Sequence, residues 1–230
     1  MNRDHYLGAA TWTDLYQRSP RPVLAVPIGS CEQHGPHLPL DTDTRIAVAL
    51  AEALAASFEP GDILVAPPIT VSASGEHASF PGTLSVGTDA ARQMVIELVR
   101  SADWSSGVVL VNGHGGNVDA MHGAVSTLLQ EGRKVLSWWP RVANSDAHAG
   151  DTETSLMLAI EPTLVRVDRV EVGNTEPLGE LAEQLRSGGV RAVSRNGVLG
   201  DPTHATVRHG KSLLTKLTID LVAAVDEWWQ

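Results

Sequence analysis

Val23-Leu-Ala-Val-Pro-Ile28-Gly-Ser-Cys-Glu32-Gln-His34-Gly-Pro-His37-Leu-Pro-Leu-Asp41-Thr-Asp43 is the stretch from which the fold is read. Its first six residues are a hydrophobic run, which predicts a strand. A segment punctuated by glycine and proline follows and predicts a rigid loop. Helical apolar spacing from Thr44 to Ser57 then predicts a helix that starts near Asp43. Open α/β sheets place their chemistry in loops at the carboxyl ends of strands. Between residues 28 and 43 this loop offers three carboxylates and two imidazoles. A solvated polar loop is the alternative reading. Five candidate ligands framed by Gly35, Pro36 and Pro39 point instead to a metal site.

The rest of the chain alternates in the same way. Thr11 to Tyr16 predicts a short helix, Ile63 to Ala66 a strand closed by Pro67-Pro68, and Asp89 to Ser101 a helix. A glycine- and serine-rich loop, Ser72 to Thr83, lies between the last two and contains Glu76 and His77. Gly107-Val-Val-Leu-Val-Asn112 is apolar throughout, as a central parallel strand covered on both faces should be. It runs into Gly113-His114-Gly-Gly-Asn117 and a helix from Val118 to about Gln130. Lys134 to Trp139 reads as a strand, Asp146 to Asp151 as a loop, and Thr152 to Ile160 as a helix stopped by Pro162. A short helix from Pro177 to Arg186, a glycine-rich loop through Thr203 and an amphipathic helix from Lys211 to Trp229 complete the chain. This alternation predicts one domain over residues 1–230, a three-layer α/β/α sandwich with a mostly parallel central sheet.

Composition narrows the function. With 17 basic and 27 acidic residues the net charge is −10, which argues against a nucleic-acid partner held by phosphate contacts. No apolar run approaches the ~18 residues that cross a bilayer, so no membrane partner is expected. No basic segment precedes an apolar one near residue 1, and a cytoplasmic location is expected. Cys31 is the only cysteine, which excludes an internal disulfide and a thiolate zinc finger. An adjacent anion, Glu32, disfavours a reactive thiolate, so Cys31 is expected to be a small buried residue.

Loops 29–43, 112–117 and 144–153 each follow a predicted strand and so gather at one sheet edge. That brings Glu32, His34, Asp43, His114, His148 and Glu153 within reach of one another. Carboxylate and imidazole ligands without thiolate suit Zn²⁺, Fe²⁺ or Mn²⁺. Two such ions need a bridging carboxylate. Asp43, at a helix start that favours negative charge, is suited to that role, and Asp41 competes for it. His37, between prolines, is expected to fix the loop by hydrogen bonds.

Gly29-Ser-Cys-Glu-Gln-His-Gly-Pro-His-Leu-Pro-Leu-Asp-Thr-Asp43 resembles the signature of the creatininase family of dinuclear-metal amidohydrolases. The likeness extends through Glu76-His-Ala-Ser-Phe-Pro-Gly-Thr83, Asn112-Gly-His114, His148-Ala-Gly-Asp-Thr-Glu-Thr-Ser155 and Gly197-Val-Leu-Gly-Asp-Pro-Thr203. It implies a creatininase-like fold and homo-oligomers built from dimers. It also implies two divalent ions, one held by Glu32, Asp43 and His114 and the other by His34 and Asp43. The family pattern prefers Asp43 over Asp41 as the bridge. Creatininase carries a ligating glutamate two residues after its Asn-Gly-His, where this chain has Gly116. Glu153 is then expected to complete the second ion or to serve as general base. His148 is expected to protonate a departing amine or to stabilise an oxyanion. Details such as His114-Gly-Gly-Asn117 resemble a peptidase branch of the family most closely. That branch acts on a modified ribosomal precursor peptide and releases a dipeptide derived from Val-Tyr. The alternative substrate is a small cyclic amide or formamide.

Overall fold

The computed structural model describes residues 5–230; the reading of residues 1–4 as part of one domain lies outside the described residues. In chain order the elements are α1 (Trp12–Tyr16), β1 (Val23–Ile28), α2 (Thr42–Ala56), β2 (Ile63–Val65), α3 (Thr88–Ser101) and β3 (Gly107–Asn112). They continue with α4 (Val118–Gln130), β4 (Val135–Trp138), α5 (Asp151–Ile160), α6 (Leu178–Gly188), α7 (Val190–Val193) and α8 (Val207–Trp229).

The four strands form one sheet in the order β2-β1-β3-β4, and every pair is parallel. Val23 lies beside both Ile63 and Gly107, and Val108 lies beside Val135. All four strands therefore point their carboxyl ends to the same edge. The chain leaves β1 toward β2 and then crosses back to β3 on the other side of β1. That reversal is the switch point at which open sheets bind ligands.

Alternate side chains of the central strands enter two separate cores. Val23, Ala25, Val109 and Val111 pack with Leu50 and Leu54 of α2, Leu156 of α5 and Leu217 of α8. Leu24, Val26, Val108 and Leu110 pack with Val95 and Val99 of α3 and Met121 and Leu128 of α4. A sheet covered on both faces needs strands that are apolar at every position, and β1 and β3 are buried at all six of their residues. The result is the three-layer α/β/α sandwich expected from the alternation. No described helix is long and apolar enough to cross a membrane.

Two stretches differ from the sequence reading. Val190–Val193 is helical within the glycine-rich segment read as loop. α8 begins at Val207 instead of Lys211, because the Thr206 side chain accepts a hydrogen bond from the His209 amide. Gly210 consequently lies inside the helix, against α5. A Cβ there would stand 1.8 Å from the Ser155 carbonyl oxygen. Gly210→Ala should therefore destabilise the fold. Overpacking costs ~1–3 kcal/mol, because the obstacle is backbone, against a helix-propensity gain of ~1 kcal/mol. Thermal unfolding should shift down by a few degrees; an unchanged or raised midpoint would contradict the α5–α8 contact.

Candidate metal centre

Every strand sends a loop to the site. Glu32 and His34 lie in the loop after β1, and Asp43 lies in the first turn of α2. Ser30 Oγ donates to Asp43 Oδ2 at 2.8 Å. At the end of β3, Asn112 Nδ2 donates to the His114 carbonyl at 2.8 Å and Asn112 Oδ1 accepts from Asn117 Nδ2 at 3.1 Å. Asn117 Oδ1 in turn accepts the Ala73 amide at 3.1 Å, which ties the loop after β2 into the same network. Gly113 lets the start of α2 approach, since a Cβ there would be 2.4 Å from the Asp43 carbonyl oxygen. After β4, Asp146 accepts the Asp151 and Thr152 amides at 2.5 and 3.1 Å and so caps α5, which bears Glu153. Ala149 adopts a left-handed φ of 52°, and its amide donates to Glu153 Oε2 at 2.6 Å.

These connections gather all six candidate residues. Asp43 Oδ1 is 3.0 Å from His34 Nε2, and Asp43 Oδ2 is 3.0 Å from His114 Nδ1. Glu153 Oε2 is 3.8 Å from His34 Nε2, and Glu32 lies 3.2 Å from His114 and 3.8 Å from His148. Glu32, Asp43 and His114 have ligand atoms close enough to share one ion, as do His34, Asp43 and Glu153, and Glu32, His34 and His148.

The hydrogen-bond network assigns the ring protons. A carbonyl only accepts, so a ring nitrogen facing one carries the hydrogen. His34 Nδ1 meets the Glu32 carbonyl at 3.1 Å, His114 Nε2 meets that of Ala73 at 2.9 Å, and His148 Nε2 meets that of Gln33 at 2.8 Å. The opposite nitrogens, His34 Nε2, His114 Nδ1 and His148 Nδ1, face carboxylates. A lone pair opposed to a carboxylate repels it unless a proton or a metal cation stands between them. Both oxygens of the fully buried Glu32 also lack a hydrogen-bond partner. This donor set fits divalent cations.

Without metal, protons carry that burden. Burial pushes Glu32 up to about 8 and Glu153 to about 7, in each case against the pull of nearby imidazole. Burial would raise Asp43 too, but His34 and His114 hold it well below the usual carboxylate range. Burial opposes charge on His34 and His114, yet the carboxylates prevail and raise His34 to about 10 and His114 well above its ordinary value. Burial, helped by His34 and His77, pushes His148 well below its ordinary value, so it is neutral.

Other sequence expectations find definite places. Asp41 pairs with Arg45 at 2.8 Å and stands outside the cluster. His37 bonds Thr154 Oγ1 at 2.9 Å and fixes the loop to α5. Cys31 is half-buried rather than buried, with Sγ 3.6 Å from the Gly82 carbonyl. Only Gly115 opens room at the site. A Cβ at Gly116 would stand 2.2 Å from Glu76 Oε1 and 2.4 Å from His114 Nε2, on the Glu32–His114 side and not beside Glu153.

Sequence reasoning missed Gln33, Glu76 and His77. Gln33 Oε1 accepts the Gly35 amide at 2.9 Å and Nε2 donates to the Gly197 carbonyl at 3.0 Å, which fixes the amide. Its second N–H reaches His77 Nδ1 at 2.9 Å. His77 therefore turns Nε2 toward Glu32, 3.3 Å from Oε1, and Glu32, Glu76 and His77 form a further group whose ligand atoms lie close together. Adjacency of Gln33 to Glu32 and His34 was the available signal.

With this geometry in view, comparison with known proteins is direct. A family model described as creatinine amidohydrolase (Creatininase) matches residues 8–225. The chain belongs to the creatininase family. It is 49% identical over 226 residues to the mycofactocin precursor peptide peptidase of Mycolicibacterium smegmatis, covering 96% of this chain and 91% of that one. It is 30% identical over 204 residues to the creatinine amidohydrolase of Pseudomonas putida, covering 74% and 77% of the two chains. A solved structure described as "Creatininase Mn" superposes with a TM-score of 0.80 at 25% identity, covering 97% of this chain and 98% of that one. The creatininase fold thus frames the cluster.

A cavity of about 180 Å³, lined in part by Ile46, His114, Trp139 and Glu153, opens onto the cluster. It shares Asp146 and Thr152 with a larger outer cavity of about 640 Å³. The protonation pattern sets a pH dependence for metal binding. Below pH 7 an entering ion must displace protons held by Glu153 (about 7), Glu32 (about 8) and His34 (about 10). Zn²⁺ affinity should therefore fall as pH falls, by about tenfold or more per unit between pH 7 and 5, with protons released on binding. Calorimetry in buffers of different ionisation enthalpy measures both; an affinity flat across that range would exclude these groups as ligands.

Proposed function

We propose that the protein is a metal-dependent peptidase of mycofactocin biosynthesis. It hydrolyses a peptide bond near the C-terminus of a modified ribosomal precursor peptide and releases a Val-Tyr-derived dipeptide. The chemistry rests on one observation, the ionised Asp43 held between His34 Nε2 and His114 Nδ1 at 3.0 Å each. The substrate class rests on the 49% identity to a mycofactocin precursor peptide peptidase over nearly the whole chain. In this reading Glu32, Asp43 and His114 hold one divalent ion, and His34, Asp43 and Glu153 hold the second. Zn²⁺, Fe²⁺ and Mn²⁺ all suit the donor set, and manganese is named for a structural relative. We further propose one domain, a homo-oligomer built from dimers, and a cytoplasmic location.

Two ions, when bound, supply Lewis acidity that activates water and polarises a carbonyl. The chain's own groups do the rest. Asp43 stays ionised without solvent and serves both halves of the cluster. His148 enters the cycle neutral, with its hydrogen on Nε2 fixed by the Gln33 carbonyl. A proton for the departing amine is therefore collected at Nδ1 from the attacking water and then handed to nitrogen. The apolar wall of the inner cavity, including Ile46 and Leu156, limits bulk water around the reacting bond.

No Ser, Thr or Cys occupies a Gly-x-Ser-x-Gly elbow, so a covalent acyl-enzyme is not expected. Chelation should abolish hydrolysis of the modified precursor peptide, and added metal should restore it. His148→Ala should lower turnover by roughly 10²–10⁴-fold while metal content stays at the wild-type level. Full activity in metal-free protein, or a trapped acyl-enzyme, would contradict the reading. Turnover of creatinine with no cleavage of the peptide would favour the small-amide alternative.

A further inference from the structure

The loop after β2 supplies no group to either proposed ion, yet it reaches the cluster. Its short 3₁₀ turn, Gly75–His77, presents Glu76 to the outer edge of the His114 ring, with Oε1 3.4 Å from Nε2. Two glycines from distant segments shape the place it occupies. A Cβ on Gly116 would meet Glu76 Oε1 at 2.2 Å, and a Cβ on Gly189, whose φ is +67°, would meet the Glu76 carbonyl oxygen at 2.5 Å. A side chain at residue 116 and the observed carboxylate position exclude each other.

We propose that Glu76 is a positioning residue of the metal centre, seated in the space that Gly116 leaves free and acting through His114. The Nε2 hydrogen of His114 faces the Ala73 carbonyl at 2.9 Å, with the Glu32 carboxylate at 3.2 Å and the Glu76 carboxylate at 3.4 Å beside it. Negative charge on that edge keeps the hydrogen on Nε2 and makes Nδ1, which faces Asp43, a stronger donor to a cation. Carboxylates behind metal-bound imidazoles tune affinity in this manner. The proposal rests on the reading of the cluster as a metal centre, and its test separates the two.

Glu76→Gln keeps the shape and removes the charge. In Zn²⁺ titrations of metal-free protein it should weaken one of two sites by about 10–100-fold, the usual effect of losing such a partner. Glu76→Asp, which keeps the charge, should lose less affinity than Glu76→Gln, and it carries the test should the amide variant fail to fold. Wild-type affinity at both sites in Glu76→Gln, or equal losses in the Gln and Asp variants, would overturn the proposal while leaving the metal centre standing. Wild-type protein that binds no Zn²⁺ would overturn the metal centre itself and this proposal with it.

Discussion

Asp43 is a carboxylate shut away from water between two imidazole nitrogens, each 3.0 Å from one of its oxygens. The surrounding structure answers to that constraint. An ion so deeply buried persists only with charge-matched, hydrogen-bonded partners. The amino end of α2 favours the negative charge, and Ser30 donates to one oxygen. His34 and His114 supply the matching positive charge, and their other nitrogens are tied to the Glu32 and Ala73 carbonyls. The glycine at 113 is the steric condition for bringing α2 this close to the loop after β3.

The sheet order makes such a convergence possible. Four parallel strands in the order β2-β1-β3-β4 deliver four loops to one edge, and the reversal between β1 and β3 opens the crevice there. Each loop has a distinct part. The loops after β1 and β3 bring the residues that flank Asp43, and the loop after β4 brings His148 and leads into Glu153 on α5. The loop after β2 brings Glu76 and His77 behind them. Because the carboxylates outnumber what buried imidazolium can neutralise, affinity for divalent cations and the pKa shifts of the metal-free cluster have one electrostatic origin.

Much of this was legible in the chain because strong local signals coincide with tertiary demands. β3 is apolar from Gly107 to Val111 because both sheet faces are covered, and the loop from Glu32 to Asp43 is rich in ligand types because it is the candidate site. Asp41 and Asp43 could not be separated by residue type alone, since both lie at the start of helix α2. Their difference is which way each faces: Asp41 turns out to Arg45 and Asp43 turns in. The parts played by Glu76 and His77 were hidden for another reason. They sit in a glycine- and serine-rich loop without periodicity, and their placement depends on contacts with Gly116, Gly189 and Gln33 far along the chain. Ring protonation was likewise invisible, because it is set by backbone carbonyls whose positions no residue pattern encodes.

The central claim is that Asp43 serves two cations at once. Anomalous X-ray diffraction from crystals of the protein loaded with Zn²⁺, collected on both sides of the zinc edge, tests it most directly. Two anomalous peaks roughly 3.5–4 Å apart, each within bonding distance of one Asp43 oxygen, are the result this account predicts. A single peak, or two peaks of which one is coordinated without Asp43, would contradict it.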